Sequence, residues 1–186
     1  MIEKFSLFEG QFLLWVQENI RNDFLTPLVC FITKTKVMAA FWAIVILMLF
    51  AFKKTRKASL ASGGAAVLSY LTCNLLLKNL FGRARPFTLI EGLSVLTKLP
   101  TDASFPSGHS SFCFACATAI FILLPKKFGI PALVYAVIIA LTRFYVGVHY
   151  PTDVFCGALI GILCGAASVL ICGKIFADRE EGCTTE

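Results

Sequence analysis

The chain has 186 residues, 58% of them hydrophobic and 15% charged, and 17 Lys and Arg against 11 Asp and Glu leave a net charge of +6. A soluble domain runs at about 45–50% apolar and about 25% charged. The composition therefore excludes a disordered chain and argues against a soluble nucleic-acid-binding protein despite the basic balance, and the length suits one domain.

Residues 1–36 form an N-terminal segment of mixed character. Glu9, Glu18, Arg21 and Asp23 are scattered among apolar residues there, and Pro27 interrupts the run. Phe8, Phe12, Trp15 and Val16 recur near helical spacing. That pattern predicts an amphipathic helix lying at the membrane interface, the alternative being an imperfect sixth span. The basic start and small-residue cleavage site of a secretory signal are missing, so the segment is not read as one.

Five cleaner stretches follow. Residues 37–52 are apolar throughout, and 58–77, 110–125, 128–142 and 154–173 carry no charge. A transmembrane helix needs about 20 mainly apolar residues, with a range of about 17–25. Five such stretches in so short a chain cannot all be buried in a soluble globule, because no polar shell is left to cover them. The predicted fold is an all-α integral membrane helix bundle of five transmembrane helices plus the N-terminal amphipathic helix. Its membrane domain runs over 37–176, and a polar tail occupies 177–186.

Most of the eight cysteines lie inside these stretches. Buried free cysteine behaves as a small hydrophobe, so no disulfide framework is expected. Cys113 and Cys116 have metal-like spacing but no second pair, and no metal site is predicted. Orientation from Lys and Arg in the connections is nearly balanced. Alternating spans place eight on the side of Lys53, Lys126 and Lys174, and seven on the side of Lys34, Lys36, Lys78, Arg83, Arg85, Lys98 and Arg143.

Ionisable groups at membrane depth are costly and mark functional sites by default. Here they gather in three clusters on that second side. Lys78, Arg83, Arg85 and Pro86 end the second span, Phe105 to Ser111 opens the third, and Arg143, His149 and Asp153 bridge the fourth and fifth. Both histidines of the chain are included. Lys78, Arg85 and Arg143 suit a multiply charged oxyanion, with guanidinium geometry favouring bidentate phosphate contact. Asp153 is the only carboxylate read as accompanying them. Ser107 is a plausible cap of the third helix, where Gly108 lets an anion approach the free backbone N–H groups. His149 and Asp153, four apart, allow a carboxylate to orient the ring and leave its other nitrogen nucleophilic. His109 is then a second histidine able to donate a proton. Singly, these residues read equally well as helix-end anchors or ordinary caps; together they describe a phosphoryl-transfer site.

The three clusters resemble the motifs of the type 2 phosphatidic acid phosphatase superfamily: Lys-x6-Arg-Pro at Lys78 to Pro86, Pro-Ser-Gly-His at Pro106 to His109, and Ser-Arg-x5-His-x3-Asp at Thr142 to Asp153, with Thr142 in place of serine. The resemblance implies a lipid phosphatase needing neither metal nor other cofactor. His149 is then the nucleophile that carries a phosphohistidine, Asp153 its partner, and His109 the acid and base. Lys78, Arg85, Ser107, Gly108 and Arg143 bind the phosphate. Setting the catalytic cations aside leaves four positive charges against eight. That places the site on the extracytoplasmic face of the cytoplasmic membrane and the tail in the cytoplasm. The implied partners are membrane lipids and a lipid phosphate. Undecaprenyl diphosphate is the favoured substrate, with phosphatidylglycerol phosphate and phosphatidic acid as alternatives. An anion-binding transporter should show repeated halves, which the sequence lacks. Haloperoxidase-like chemistry fits poorly with a short, membrane-spanning chain.

Overall fold

The computed structural model describes the backbone of residues 2–183 and the side chains of residues 7–175. Among these the chain is helical, in the order α1 (Ile2–Asn19), α2 (Leu25–Ile32), α3 (Thr35–Ala51), α4 (Arg56–Tyr70), a π-helical segment (Leu71–Leu77), α5 (Lys78–Phe81), α6 (Pro86–Leu89), α7 (Gly108–Leu123), α8 (Lys126–Tyr145) and α9 (Pro151–Cys183). Each of the five apolar stretches falls on helix. Three helical stretches are long and apolar enough to cross a membrane: Lys53–Leu89, Lys126–Tyr145 and Pro151–Ile175. The pair α2 and α3, bent by 61°, makes a fourth when taken together. Helix α9 continues into the residues expected to form a tail, and 184–186 lie outside the described residues.

The helix α7, at 16 residues, spans about 24 Å, less than the roughly 30 Å of a hydrocarbon core. Its place in the bundle explains how it can be short. Cys113, Ala115, Cys116, Ala117 and Ala119 are all sealed from the surface, so protein rather than lipid surrounds its middle. The bundle has the composition of a membrane interior, where small residues and hydroxyls join helices. Ser69 and Ser111 hydroxyls lie 2.6 Å apart, and the Ser168 hydroxyl donates to the Ala61 carbonyl at 2.7 Å. Large apolar side chains face outward instead, among them Leu47, Leu76, Leu163 and Leu170.

Gly157, Gly161 and Gly165 form a stripe at four-residue spacing along α9. A methyl group at Gly157 would stand 2.6 Å from the Ser107 carbonyl oxygen, and one at Gly165 would stand 2.7 Å from that of Ala115; at Gly161 it would strike the Ser111 carbonyl oxygen. The two backbones therefore touch along α7, as small-residue stripes permit. This contact fixes the starts of α7 and α9 side by side, and the Ser107 amide donates to the Asp153 carbonyl at 2.9 Å. The second and third charged clusters of the sequence meet along this backbone contact.

Helix α1 is amphipathic in a particular sense. Phe8 and Trp15 are exposed on its outer face, while Glu9, Leu13 and Val16 are buried. Arg21 just beyond it donates to the Tyr145 carbonyl at 2.8 Å and to the Ser94 hydroxyl at 2.7 Å. The segment is thus fastened to the end of α8 and to the long loop between α6 and α7.

Candidate active site

Two glycines end helices where the charged motifs begin. Gly82 takes φ +54° and its amide bonds back to the Lys78 carbonyl at 3.1 Å, stopping α5 in the left-handed conformation that glycine adopts without strain. The chain then turns so that Arg85 precedes Pro86, the first residue of α6. Gly147, at φ +78°, likewise reverses the chain after α8 and delivers His149. The π-helical segment before Lys78 carries Asn74. Its side-chain oxygen would lie only 2.7 Å from a methyl placed on Gly108, so a side chain there would push the Asn74 amide aside. Such π segments recur at functional sites.

Lys78, Arg85, Gly108, His109, Arg143 and His149 line one cavity of about 1000 Å³. Six of the eight residues expected in the site therefore meet in one place. The other two stand behind it. Ser107 is fully buried and caps α7, accepting from the Ser110 amide at 3.5 Å with the Ser110 hydroxyl 3.0 Å away. Asp153 is fully buried beneath His149. The first-turn N–H groups of α7, at Gly108 and His109, have no helical carbonyl to reach and are available to an anion in the cavity.

The protonation of His149 follows from its neighbours. Its Nδ1 lies 3.6 Å from Asp153 Oδ2, which only accepts, and its Nε2 lies 3.4 Å from Arg85 Nη1, which only donates. The neutral ring therefore carries its proton on Nδ1 and a lone pair on Nε2. Burial pushes the imidazolium down to about 4; Arg143 and Arg85 add to this and Asp153 opposes it. The ring is neutral at neutral pH. At 3.6 Å Nδ1 makes no hydrogen bond to Oδ2, which accepts from the Ser104 hydroxyl at 2.5 Å and the Tyr150 amide at 3.0 Å. His109 Nε2 lies 3.3 Å from the Thr35 hydroxyl.

Arg143 is 4% exposed and donates to the Thr33 hydroxyl at 2.5 Å. Thr33 lies 2.9 Å from the Thr142 hydroxyl, which donates onward to the Ile139 carbonyl at 2.6 Å. The chain of hydroxyls runs in one direction: Arg143 to Thr33 to Thr142 to backbone. The threonine at the position of the family's serine thus keeps a hydroxyl that orients the arginine. The Nε of Arg143 is buried without a protein partner, leaving part of the fork for an anion.

Two side chains at the site, Asp102 and Glu9, were not visible in the sequence, and Arg83, named there in the first cluster, takes a part that the sequence did not assign to it. Asp102 pairs with both Lys78 and Arg85, the latter at 2.8 Å, which corrects the expectation that Asp153 alone accompanies the cations. Burial alone would raise the Asp102 carboxyl, but Lys78 and Arg85 hold it at about 2. Arg83 donates to Asp153 Oδ1 at 2.6 Å and to Glu9 at 2.6 Å, and Glu9 is itself buried. The spacing of Arg83 from Pro86 carried no distinguishing signal, and Glu9 lies more than 70 positions from its partners. Among the described residues, no three His, Cys, Asp or Glu side chains form a group that could hold a metal ion.

A family model described as the PAP2 superfamily matches residues 58–176. The undecaprenyl-diphosphatase of Sulfolobus acidocaldarius is 35% identical over 133 residues, 70% of this chain and 63% of that protein. The undecaprenyl-diphosphatase BcrC of Bacillus subtilis is 30% identical over 144 residues, 77% of this chain and 73% of that protein. The chain thus spans between three fifths and three quarters of these relatives' lengths. Among solved structures, a transmembrane PAP2-type phosphatidylglycerolphosphate phosphatase from Bacillus subtilis superposes with a TM-score of 0.68. It is 24% identical and covers 96% of this chain and 87% of its own, a likeness of fold.

Proposed function

Because the chain belongs to the PAP2 superfamily, and is on that footing a lipid phosphatase of the membrane, we propose that it removes the terminal phosphate of undecaprenyl diphosphate through a phosphohistidine on His149. One observation carries the reading: His149, with Nε2 turned toward Arg85, lines the same cavity as Lys78, Arg85 and Arg143. A nucleophile beside three phosphate-binding cations has what in-line phosphoryl transfer needs, namely positioning and charge stabilisation.

In the first step Nε2 of His149 attacks the terminal phosphorus, and the bond to the bridging oxygen breaks. His109 gives its proton to the departing lipid phosphate. The ring of His149 is then cationic, with Nδ1–H facing Asp153. In the second step His109 takes a proton from water, whose oxygen attacks phosphorus, and the N–P bond breaks to release inorganic phosphate. Lys78, Arg85, Arg143 and the Gly108 and His109 amides hold the equatorial oxygens in both steps. No step calls on a metal ion. The outward-facing apolar surface of the bundle keeps the lipid chain in the bilayer while its head group enters the cavity. The charge count across the connections supports an extracytoplasmic site.

Purified protein in detergent with excess EDTA is expected to release phosphate from undecaprenyl diphosphate faster than from phosphatidylglycerol phosphate or phosphatidic acid. Release of phosphate from none of the three overturns the enzymatic reading. A reversed order assigns the substrate to another lipid, and activity lost in EDTA overturns the metal-free mechanism.

A further inference from the structure

We infer that α1 completes the catalytic site, with Glu9 and Arg83 as positioning residues that hold Asp153 and keep it net negative beneath His149. The inference rests on the assignment of His149 as the nucleophile. Glu9 is 4% exposed and Asp153 fully buried. Between them Arg83 donates through Nη1 to Asp153 Oδ1 and through Nη2 to Glu9 Oε2, each at 2.6 Å. Glu9 Oε1 accepts from both the amide and the hydroxyl of Thr152 at 2.7 Å, one residue before Asp153. The Arg83 guanidinium lies over the Tyr150 ring, 4.0 Å from its centre. A helix outside the family's matched span thereby reaches the start of α9.

The charges explain why a carboxylate is needed there. Phosphorylation of Nε2 with Nδ1 still protonated makes the His149 ring cationic. Asp153 should stabilise that cation, but Asp153 paired with Arg83 alone is a neutral unit. Adding Glu9 returns the group to one net negative charge, close to the ring and poorly screened. A purely structural role is the competing explanation, since Glu9 also caps the first turn of α9. Glutamine separates the two. In Glu9→Gln the amide oxygen still accepts from Thr152, whereas the charge is gone and with it the hydrogen bond from Arg83 Nη2, which an amide NH2 cannot accept.

The experiment compares the full-length wild type, Glu9→Gln and His149→Ala in detergent on undecaprenyl diphosphate, with inorganic phosphate binding measured by calorimetry. Besides Asp153, the charged or titratable groups near His149 are Arg85 before α6, Arg143 on α8 and His109 on α7, and none is altered in Glu9→Gln. The expected kcat is lower by on the order of tenfold, with KM changed by less than about threefold. The acid limb of the kcat profile should move to lower pH, because the His149 cation has lost support. Phosphate affinity should be kept or tightened. An unchanged kcat and acid limb overturn the inference. So does loss of phosphate binding together with activity, which would make Glu9 a staple of the fold. Activity surviving in His149→Ala instead sinks the nucleophile assignment, an outcome separate from either Glu9→Gln result.

Discussion

His149→Ala is expected to lower kcat/KM on undecaprenyl diphosphate by roughly 10⁴-fold or more, about 5 kcal/mol of lost transition-state stabilisation. Binding should survive, because Lys78, Arg85 and Arg143 remain, and calorimetry with inorganic phosphate checks this. The pH dependence of the wild type tests the same assignment. With the free imidazolium at about 4, the ring is protonated and unable to attack below that value and neutral above it. The acid limb of kcat/KM attributable to the enzyme should therefore lie well below 6.5. A bound phosphate anion favours the imidazolium, so the limb in kcat should sit higher. Turnover by His149→Ala above a tenth of the wild-type rate would place the nucleophile elsewhere.

The second large effect depends on the leaving group. A lipid phosphate leaves as an anion whose second ionisation is near 6, so breaking its bond needs little proton assistance. The alcohol of a monoester such as phosphatidic acid ionises close to water, at about 15.7, and needs the proton that His109 delivers. In His109→Ala, transfer from the monoester should fall by about 10³-fold, while transfer from the diphosphate falls by roughly tenfold or less. Hydrolysis of the phosphohistidine, which needs His109 as a base, should slow for both. With the diphosphate the variant should show a burst of one equivalent followed by slow turnover, with acid-labile phosphate on the protein by rapid quench. Equal losses on both lipids without a burst would remove His109 from both proton transfers.

How much of this was legible in the sequence depends on how local each signal is. The hydrophobic stretches read directly as helices because an apolar run has no other way to satisfy its backbone in a membrane. The motif residues read directly because six of the eight line one cavity, and their spacings hold each to the end of a helix. The two that stand behind it, Ser107 and Asp153, show the limit: spacing identifies a partner but not which face it presents. Asp102, Glu9 and Thr33 were illegible for a different reason. Each meets its partner across 17 to 143 positions, and nothing local distinguishes a carboxylate that will be buried against Arg83 from one in water. The glycine stripe on α9 is an intermediate case. Its spacing is plain in the sequence, but only the touching of α7 shows which helix it serves.

The carboxylate of Asp102 on Lys78 and Arg85 has a consequence for turnover. It is a tethered anion on two of the three cations proposed to bind the phosphate, present at the high local concentration that attachment to the same chain confers. Arriving phosphate must displace it, and it stands ready to re-engage once the N–P bond is cleaved. Held at about 2, it stays ionised at any working pH and cannot be relieved by protonation. On the proposed mechanism this pairing would lower the affinity for substrate and speed the discharge of inorganic phosphate. Asp102→Asn should make free phosphate a stronger inhibitor, by roughly tenfold, and phosphate inhibition that is unchanged or weaker would show that the carboxylate does not compete. An enzyme working where phosphate accumulates would then owe its resistance to product to a residue that its substrate must first push aside.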